Sequence, residues 1–139
     1  MAGTVEEIMT RDPRTVEIGD SVVDAAREMR DADIGNVIVI DGGRVAGIVT
    51  DRDIVVRAIA EGRDPRSTTV GDVCSSGPRT LEAGDSVEVA AKAMGEASIR
   101  RLPVVRDGQL VGVLSLGDLA QDRDAGQPLA DISAASPNH

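Results

Sequence analysis

Two short motifs carry the side chains of this chain that are best suited to hold a ligand. Thr50 and Asp53 stand three residues apart, and Ser115 and Asp118 repeat that spacing later in the chain. A hydroxyl and a carboxylate on a first helical turn can accept hydrogen bonds from the two hydroxyls of a ribose, beside N–H groups that suit phosphate. The same spacing is that of a capping box, which only starts a helix. The motifs alone leave both interpretations open.

Groups suited to catalysis or metal binding are scarce. Cys74 is the single cysteine, and the single histidine is the last residue, His139. We interpret Cys74 as a small buried apolar residue on a short helix. Without a nucleophile–base pair or a cluster of metal ligands, we expect no enzymatic activity, no cofactor, no metal site and no disulfide.

Composition argues against nucleic-acid and membrane partners. The net charge is −9, and the chain has no Phe, Tyr or Trp. Phosphate-backbone binding needs clustered positive charge, and single-stranded nucleic acids are bound by stacking on aromatic rings. No apolar run approaches a membrane span, and Glu6 and Glu7 do not fit a signal peptide. We therefore expect a cytoplasmic protein.

The elements that must position the two motifs occur twice. A shift of 65 positions superposes Thr4–Val55 on Thr69–Ala120 without a gap, and 19 of the 52 pairs are identical. Two copies are too few for a solenoid, which needs three or more repeats. We expect the copies to pack as a pseudo-two-fold pair, which would create two related clefts.

Each copy predicts the order β-α-β-β-α, which is a mixed α/β fold. A helical turn at Val5–Met9 or Val70–Cys74 comes first, and a Gly-Asp-Ser sequence then caps a longer helix. Two β-rich runs joined by an Asp-Gly turn follow, and the last helix begins after Thr50 or Ser115. The predicted domains are a first repeat over 4–62, a linker over 63–68, a second repeat over 69–123 and a flexible tail over 124–139.

Four segments resemble those of cystathionine-β-synthase (CBS) domains, two of which in tandem form a Bateman module. The segments are Ile34–Asp41 (IGNVIVID), Gly47–Ile54 (GIVTDRDI), Ile99–Gly108 (IRRLPVVRDG) and Gly112–Leu119 (GVLSLGDL). The resemblance covers roughly residues 4–122 and is nearest to small stand-alone bacterial proteins of this type. It implies that the hydroxyl–carboxylate motifs bind the ribose of adenosine nucleotides.

The resemblance also implies further contacts in each site. The basic residues implied to face phosphate are Arg52, Arg100, Arg101, Arg14 and Arg79. The residues implied to line the adenine are Ile34, Val37, Ile99, Leu102 and Pro103. Residues before the first strand of one repeat would serve the acid of the other, so that Arg14 and Met9 would join Asp118, and Arg79 and Cys74 would join Asp53. Ile38 stands where the family often has the proline kept at position 103.

The function implied is that of a regulatory sensor that binds AMP, ADP or ATP and acts in trans on an unknown target protein. A pure interaction protein that binds no nucleotide is one alternative. A module for S-adenosylmethionine or another adenosyl ligand is a second. The resemblance further implies a homodimer, for which alanine-rich helix faces are suited. Because Arg100, Arg101 and Pro103 accompany Asp118, we expect phosphorylated adenosine to prefer that site.

Overall fold

Helices and strands follow one another in a mixed α/β order in the computed structural model, which describes residues 3–97 and 100–121. The strands are β1 (Thr15–Glu17), β2 (Asn36–Asp41), β3 (Arg44–Thr50), β4 (Ser75–Ser76), β5 (Leu81–Glu82), β6 (Arg101–Arg106) and β7 (Gln109–Ser115). The helices are α1 (Val5–Ile8), α2 (Val22–Ala32), α3 (Asp51–Ile54), α4 (Val70–Val73), α5 (Val87–Ala97) and α6 (Leu116–Ala120). A π-helical segment, Val55–Ile59, directly follows α3. The predicted fold class is confirmed, whereas Ile99 and the predicted tail over 124–139 lie outside the described residues.

The chain forms two compact units that do not coincide with the two sequence repeats. The Asp53 unit spans Arg14–Pro78, and the Asp118 unit combines the residues before Arg14 with those from Arg79 onward. The opening turn of each repeat, Val5–Met9 in the first and Val70–Cys74 in the second, therefore belongs to the unit built by the other repeat. The chain changes unit after Pro13 and Pro78, and the residues before these prolines, Asp12 and Gly77, have φ of 56° and 63°.

The Asp53 unit is built on a mixed sheet in the order β1-β2-β3-β4. β1 runs parallel to β2, and β3 is antiparallel to both β2 and β4. Gly42 and Gly43 have φ of 61° and 84°, which are the conformations of a two-residue type I′ hairpin. This hairpin aligns the end of β3, where Thr50 lies, with the start of β2.

The Asp118 unit repeats this plan with β5, β6 and β7. β5 is parallel to β6, and β6 is antiparallel to β7 across a turn at Asp107 and Gly108. Pro103 has no N–H to donate, whereas the N–H at the matching Ile38 bonds to the Arg14 carbonyl oxygen. The parallel pairing in this unit accordingly begins later, at Leu81 opposite Val104.

The two longer helices, α2 and α5, each use a serine cap and bury one apolar face. Ser21 forms a capping box with Asp24, and the Ser86 hydroxyl accepts the N–H of Val89. The buried residues of the two helices are Val22, Ala25 and Met29 in α2, and Val87, Ala90, Ala91, Ala93 and Met94 in α5. The alanines in these two sets are therefore packed inside the units, whereas Ala26 of α2 is exposed. No helix within residues 3–97 and 100–121 is long and apolar enough to cross a membrane.

Two glycines allow the opening turn of each repeat to cross a strand of the other repeat at close range. A Cβ at Gly47 would lie 2.5 Å from the Ser75 carbonyl oxygen and 2.9 Å from the Cys74 Sγ. A Cβ at Gly112 would lie 2.5 Å from the Met9 sulfur and 2.8 Å from the Thr10 carbonyl oxygen. Both positions lack space for any side chain, because part of the obstruction is backbone.

We predict that Gly47→Ala and Gly112→Ala each destabilise the protein by about 1–3 kcal/mol, the usual cost of overpacking. Chemical denaturation of the single variants measures this cost. Gly19→Ala and Gly84→Ala are matched controls, since an added Cβ there meets no atom within 4 Å. Equal denaturation midpoints for Gly112→Ala and Gly84→Ala would contradict the close crossing.

Candidate ligand-binding site

Both hydroxyl–carboxylate motifs form a capping box at a strand-to-helix junction. The Thr50 hydroxyl accepts the Asp53 N–H at 3.0 Å, and Asp53 Oδ2 accepts the Thr50 N–H at 2.9 Å. The corresponding distances for Ser115 and Asp118 are 3.1 and 2.9 Å. Each box fixes Oδ2 of its acid, so the same four side chains that cap α3 and α6 hold a carboxylate in a defined orientation.

The neighbouring strand places Arg100 and Arg101 beside the second motif. Arg101 lies opposite Ser115 in the β6–β7 register, and the N–H of Leu116 donates to the Arg100 carbonyl oxygen at 2.7 Å. Arg100 is exposed, and Arg101 is half-buried. The backbones of these two arginines thus lie next to the Ser115–Asp118 motif.

At the first motif, uncharged residues occupy the two positions that Arg100 and Arg101 occupy at the second. Asn36 lies opposite Thr50, and the N–H of Asp51 donates to the Gly35 carbonyl oxygen at 3.0 Å. Arg52 is exposed on the first turn of α3, next to the motif. The two motifs therefore share a backbone geometry but differ in the charge around it.

Asp118 has a second partner from the start of the chain. The Thr10 hydroxyl lies 3.1 Å from Asp118 Oδ1 and 3.2 Å from Oδ2. Thr10 reaches this place because its backbone bridges to Val113 in β7, while Met9 packs at Gly112. Met9 accordingly lies in the unit of Asp118, whereas Arg14, which the resemblance joins to the same acid, belongs to the unit of Asp53.

Asp53 has a different second partner, the arginine one turn further along. Arg57 Nε lies 3.9 Å from Asp53 Oδ1, and Arg57 Nη1 donates to the Val73 carbonyl oxygen at 3.2 Å. The Asp53 side chain is 13% exposed, whereas that of Arg57 is 53% exposed. The second partner of Asp53 is thus a charged guanidinium, whereas that of Asp118 is a neutral hydroxyl.

Cys74 lies in the Asp53 unit, half-buried against Gly47. Burial raises the pKa of the Cys74 thiol above its ordinary value, and the Asp53 carboxylate raises it further, while the charge of Arg57 acts in the opposite direction. The protonated thiol therefore predominates at neutral pH. It packs against the core of the unit and is half-buried, where the sequence predicts a buried residue.

Arg14 and Arg79 are held by glutamates on the long helices. Arg14 Nη1 lies 3.3 Å from Glu28 Oε2, and Arg79 Nη2 lies 3.2 Å from Glu96 Oε1. Arg14 belongs to the Asp53 unit and Arg79 to the Asp118 unit. Each arginine would have to leave its glutamate before it could contact a phosphate.

The residues expected to line an adenine are mostly parts of the two cores. Val37 and Leu102 are 1% and 0% exposed, and Pro103 is also buried. Ile34 is half-buried against the core of the Asp53 unit. Ile99 lies outside the described residues. Among the described residues of this set, Ile34 is therefore the one that is still partly exposed and could contact a ligand.

Thr10 and Arg57 are site residues that sequence reasoning missed. Arg57 carried a signal, since an acid and an arginine four residues apart can pair on one helix face. Thr10 is separated from Asp118 by 108 residues, and its only signal was its place next to Met9. Within the described part of the chain, no group of three or more His, Cys, Asp or Glu side chains is arranged to hold a metal ion.

The model of the family described as "CBS domain" matches residues 5–59 and 70–123. The chain is 37% identical over 134 residues to the CBS domain-containing protein YhcV of Bacillus subtilis, covering 94% of this chain and 95% of that protein. It is 33% identical over 119 residues to hypoxic response protein 1 of Mycobacterium tuberculosis, covering 85% and 83%.

Solved structures agree with these matches. A crystal structure of hypoxic response protein 1 with two coordinated zinc ions has a TM-score of 0.78 at 32% identity and covers 86% of this chain and 98% of that one. A crystal structure of CBSX2 in complex with AMP has a TM-score of 0.75 at 29% identity and covers 91% and 98%. With two family matches that span most of its length, the chain belongs to the CBS domain family as a tandem pair of CBS domains.

Proposed function

We propose that this chain is a regulatory module that binds an adenine nucleotide, AMP, ADP or ATP, and acts in trans on a partner protein. The observation that carries the proposal is the pair of carboxylates held in the same orientation, Asp53 in one unit and Asp118 in the other. The AMP complex of the similar protein CBSX2 supports the choice of ligand.

The ribose would bind at the carboxylate oxygen that the capping box leaves open. Because Oδ2 of each acid accepts a backbone N–H, Oδ1 can accept hydrogen bonds from the 2′- and 3′-hydroxyls. At Asp118 the Thr10 hydroxyl already donates to Oδ1, so it would rotate away or be displaced when a ribose binds. The Thr10 bond and the ribose bonds have the same charged acceptor, so the exchange favours the diol through its second hydroxyl, which adds a further charge-assisted hydrogen bond.

The two sites would differ in their affinity for phosphate. Arg100 and Arg101 stand beside the Ser115–Asp118 motif, where the other unit has Gly35 and Asn36. Charge-assisted contacts are roughly twice as strong as neutral ones. We therefore propose that the Asp118 site prefers phosphorylated adenosine, while Arg52 gives the Asp53 site a weaker preference.

Assembly is the second part of the proposal: we propose that two chains form a homodimer. Four alanines of the two long helices, Ala25, Ala90, Ala91 and Ala93, are buried inside the units. Val55, Val56 and Ile59 of the π-helical segment are instead 57%, 44% and 53% exposed. Large apolar side chains grouped on one exposed segment favour contact with another protein surface.

We predict that Asp53→Ala and Asp118→Ala each remove one nucleotide-binding event from the chain. Loss of hydrogen bonds to a charged group should weaken binding at the altered site by about 1.5–3 kcal/mol. Isothermal titration calorimetry with AMP, adenosine and S-adenosylmethionine measures this. Asp51→Ala is the matched control, since Asp51 is an exposed acid on the same turn whose Oδ1 accepts only the N–H of Arg52 among its described bonds.

The capping role alone predicts a different result. Loss of an acid in the first turn of a helix lowers stability by about 0.3–1 kcal/mol, so both variants would melt earlier while nucleotide affinity stayed the same. That outcome would favour a pure interaction protein that binds no nucleotide. Tighter binding of S-adenosylmethionine than of AMP would instead favour a module for S-adenosylmethionine or another adenosyl ligand. Loss of the tighter AMP event in Asp53→Ala, with that event kept in Asp118→Ala, would contradict the proposed preference.

Light scattering tests the homodimer. We predict a dimeric mass for the unaltered chain and a monomeric mass for Val55→Glu combined with Ile59→Glu, because two buried charges would oppose the apolar contact. Val89→Glu is the control, since Val89 is similarly exposed, at 51%, in the Asp118 unit. A monomeric mass for the unaltered chain across concentrations would contradict the proposal.

A further inference from the structure

We propose that Arg57 is a positioning residue of the Asp53 site, which holds the Asp53 carboxylate and the end of α4 in one arrangement. This inference rests on the proposed function, because it assigns Arg57 a role in presenting Asp53 to a ligand. Arg57 acts through Asp53 and makes no contact with the phosphate.

The two arms of the guanidinium make the connection. Nε faces Asp53 Oδ1 at 3.9 Å, and Nη1 donates to the Val73 carbonyl oxygen at 3.2 Å. Val73 is the last residue of α4, and the last carbonyls of a helix have no partner within the helix. Arg57 therefore satisfies a helix end and faces the acid at the same time.

The backbone on both sides of Arg57 is held by two hydrogen bonds. The N–H groups of Ala60 and Arg63 donate to the carbonyl oxygens of Val55 and Ala58 at 2.8 and 3.0 Å, and both bonds span five residues, the spacing of a π-helix. Ala58 is fully buried in the core of the Asp53 unit. With its neighbour anchored in this way, Arg57 can reach Asp53 on one side and α4 on the other.

The beginning of α4 is anchored independently. Thr69 and Asp72 form a capping box, and Arg63 Nη2 lies 3.2 Å from Asp72 Oδ2. Hydrogen bonds from Thr69, assisted by Arg63, hold the pKa of Asp72 below its usual value. With both ends held, α4 gives the guanidinium a fixed support from which to orient Asp53.

This arrangement is particular to the first repeat. The residue that matches Arg57 at the repeat offset is Asp122, an acid. Asp118 receives the neutral Thr10 hydroxyl instead. A change at Arg57 should therefore alter the Asp53 site and leave the Asp118 site as it was.

Titration of adenosine and AMP into full-length chains carrying Asp118→Ala tests the proposal, because that background isolates the Asp53 site. We expect Arg57→Gln to weaken both ligands by the same factor, about two- to fivefold, the range for a partly exposed ion pair. Arg57→Lys should restore part of the affinity, since a lysine keeps the charge but cannot serve Asp53 and Val73 together. Arg44→Gln, an exposed arginine at the β2–β3 turn, should change neither affinity.

Two results of the titration would overturn the proposal. A loss confined to AMP would make Arg57 a phosphate contact, and unchanged binding of both ligands would leave it no role at the site. Absence of adenosine binding to the Asp118→Ala chain before any change at Arg57 would be a failure of the proposed function at this site, which is a distinct outcome.

The thiol of Cys74 provides a readout that needs no nucleotide. Because the chain has a single cysteine, the pH profile of its alkylation reports the pKa of Cys74 alone. Burial and Asp53 raise this pKa, and Arg57 opposes them, so Arg57→Gln should move the midpoint to higher pH and Arg44→Gln should not. An unmoved midpoint together with unchanged affinities in Arg57→Gln would show that the guanidinium does not act on the Asp53–Cys74 cluster, and would overturn the proposal.

Discussion

The structure depends on the close crossing of two backbone segments at Gly47 and Gly112. At each glycine the opening turn of one repeat lies against a strand of the other repeat, with no room for a Cβ. The crossing closes the hydrophobic core of each unit and also supplies the residue that approaches each acid. Thr10 reaches Asp118 in one unit, and Cys74 comes near Asp53 in the other. Stability and the surroundings of both acids thus depend on the same contact.

Much of the local structure could be predicted because short-range chemistry determines it. The serine caps, the Gly-containing hairpin turns and the Thr50–Asp53 spacing act within three or four residues, and each appears where the sequence indicates it. The π-helical segment could not be predicted, since the pattern of Val55–Ile59 also fits an α-helix. β4 was missed as well, because two serines carry no strand signal and pair with β3 only through the crossing.

The candidate site was less predictable than the fold, for reasons that concern long-range packing. The unit boundaries after Pro13 and Pro78 follow from how each opening turn packs, which no local pattern encodes. Arg14 pairs with Glu28, and Arg79 with Glu96, because the start of each unit lies beside its long helix. Val37 and Leu102 lie in the cores because their strands are apolar on both faces.

In the proposed function, the carboxylates of Asp53 and Asp118 serve as ribose acceptors as well as helix caps. A crystal structure of the full chain grown with AMP tests this double role. We predict ribose hydroxyls within about 2.5–3.0 Å of Oδ1 of Asp118, with Oδ2 still accepting the Ser115 N–H. AMP bound away from both acids, or both acids unoccupied at saturating AMP, would contradict it.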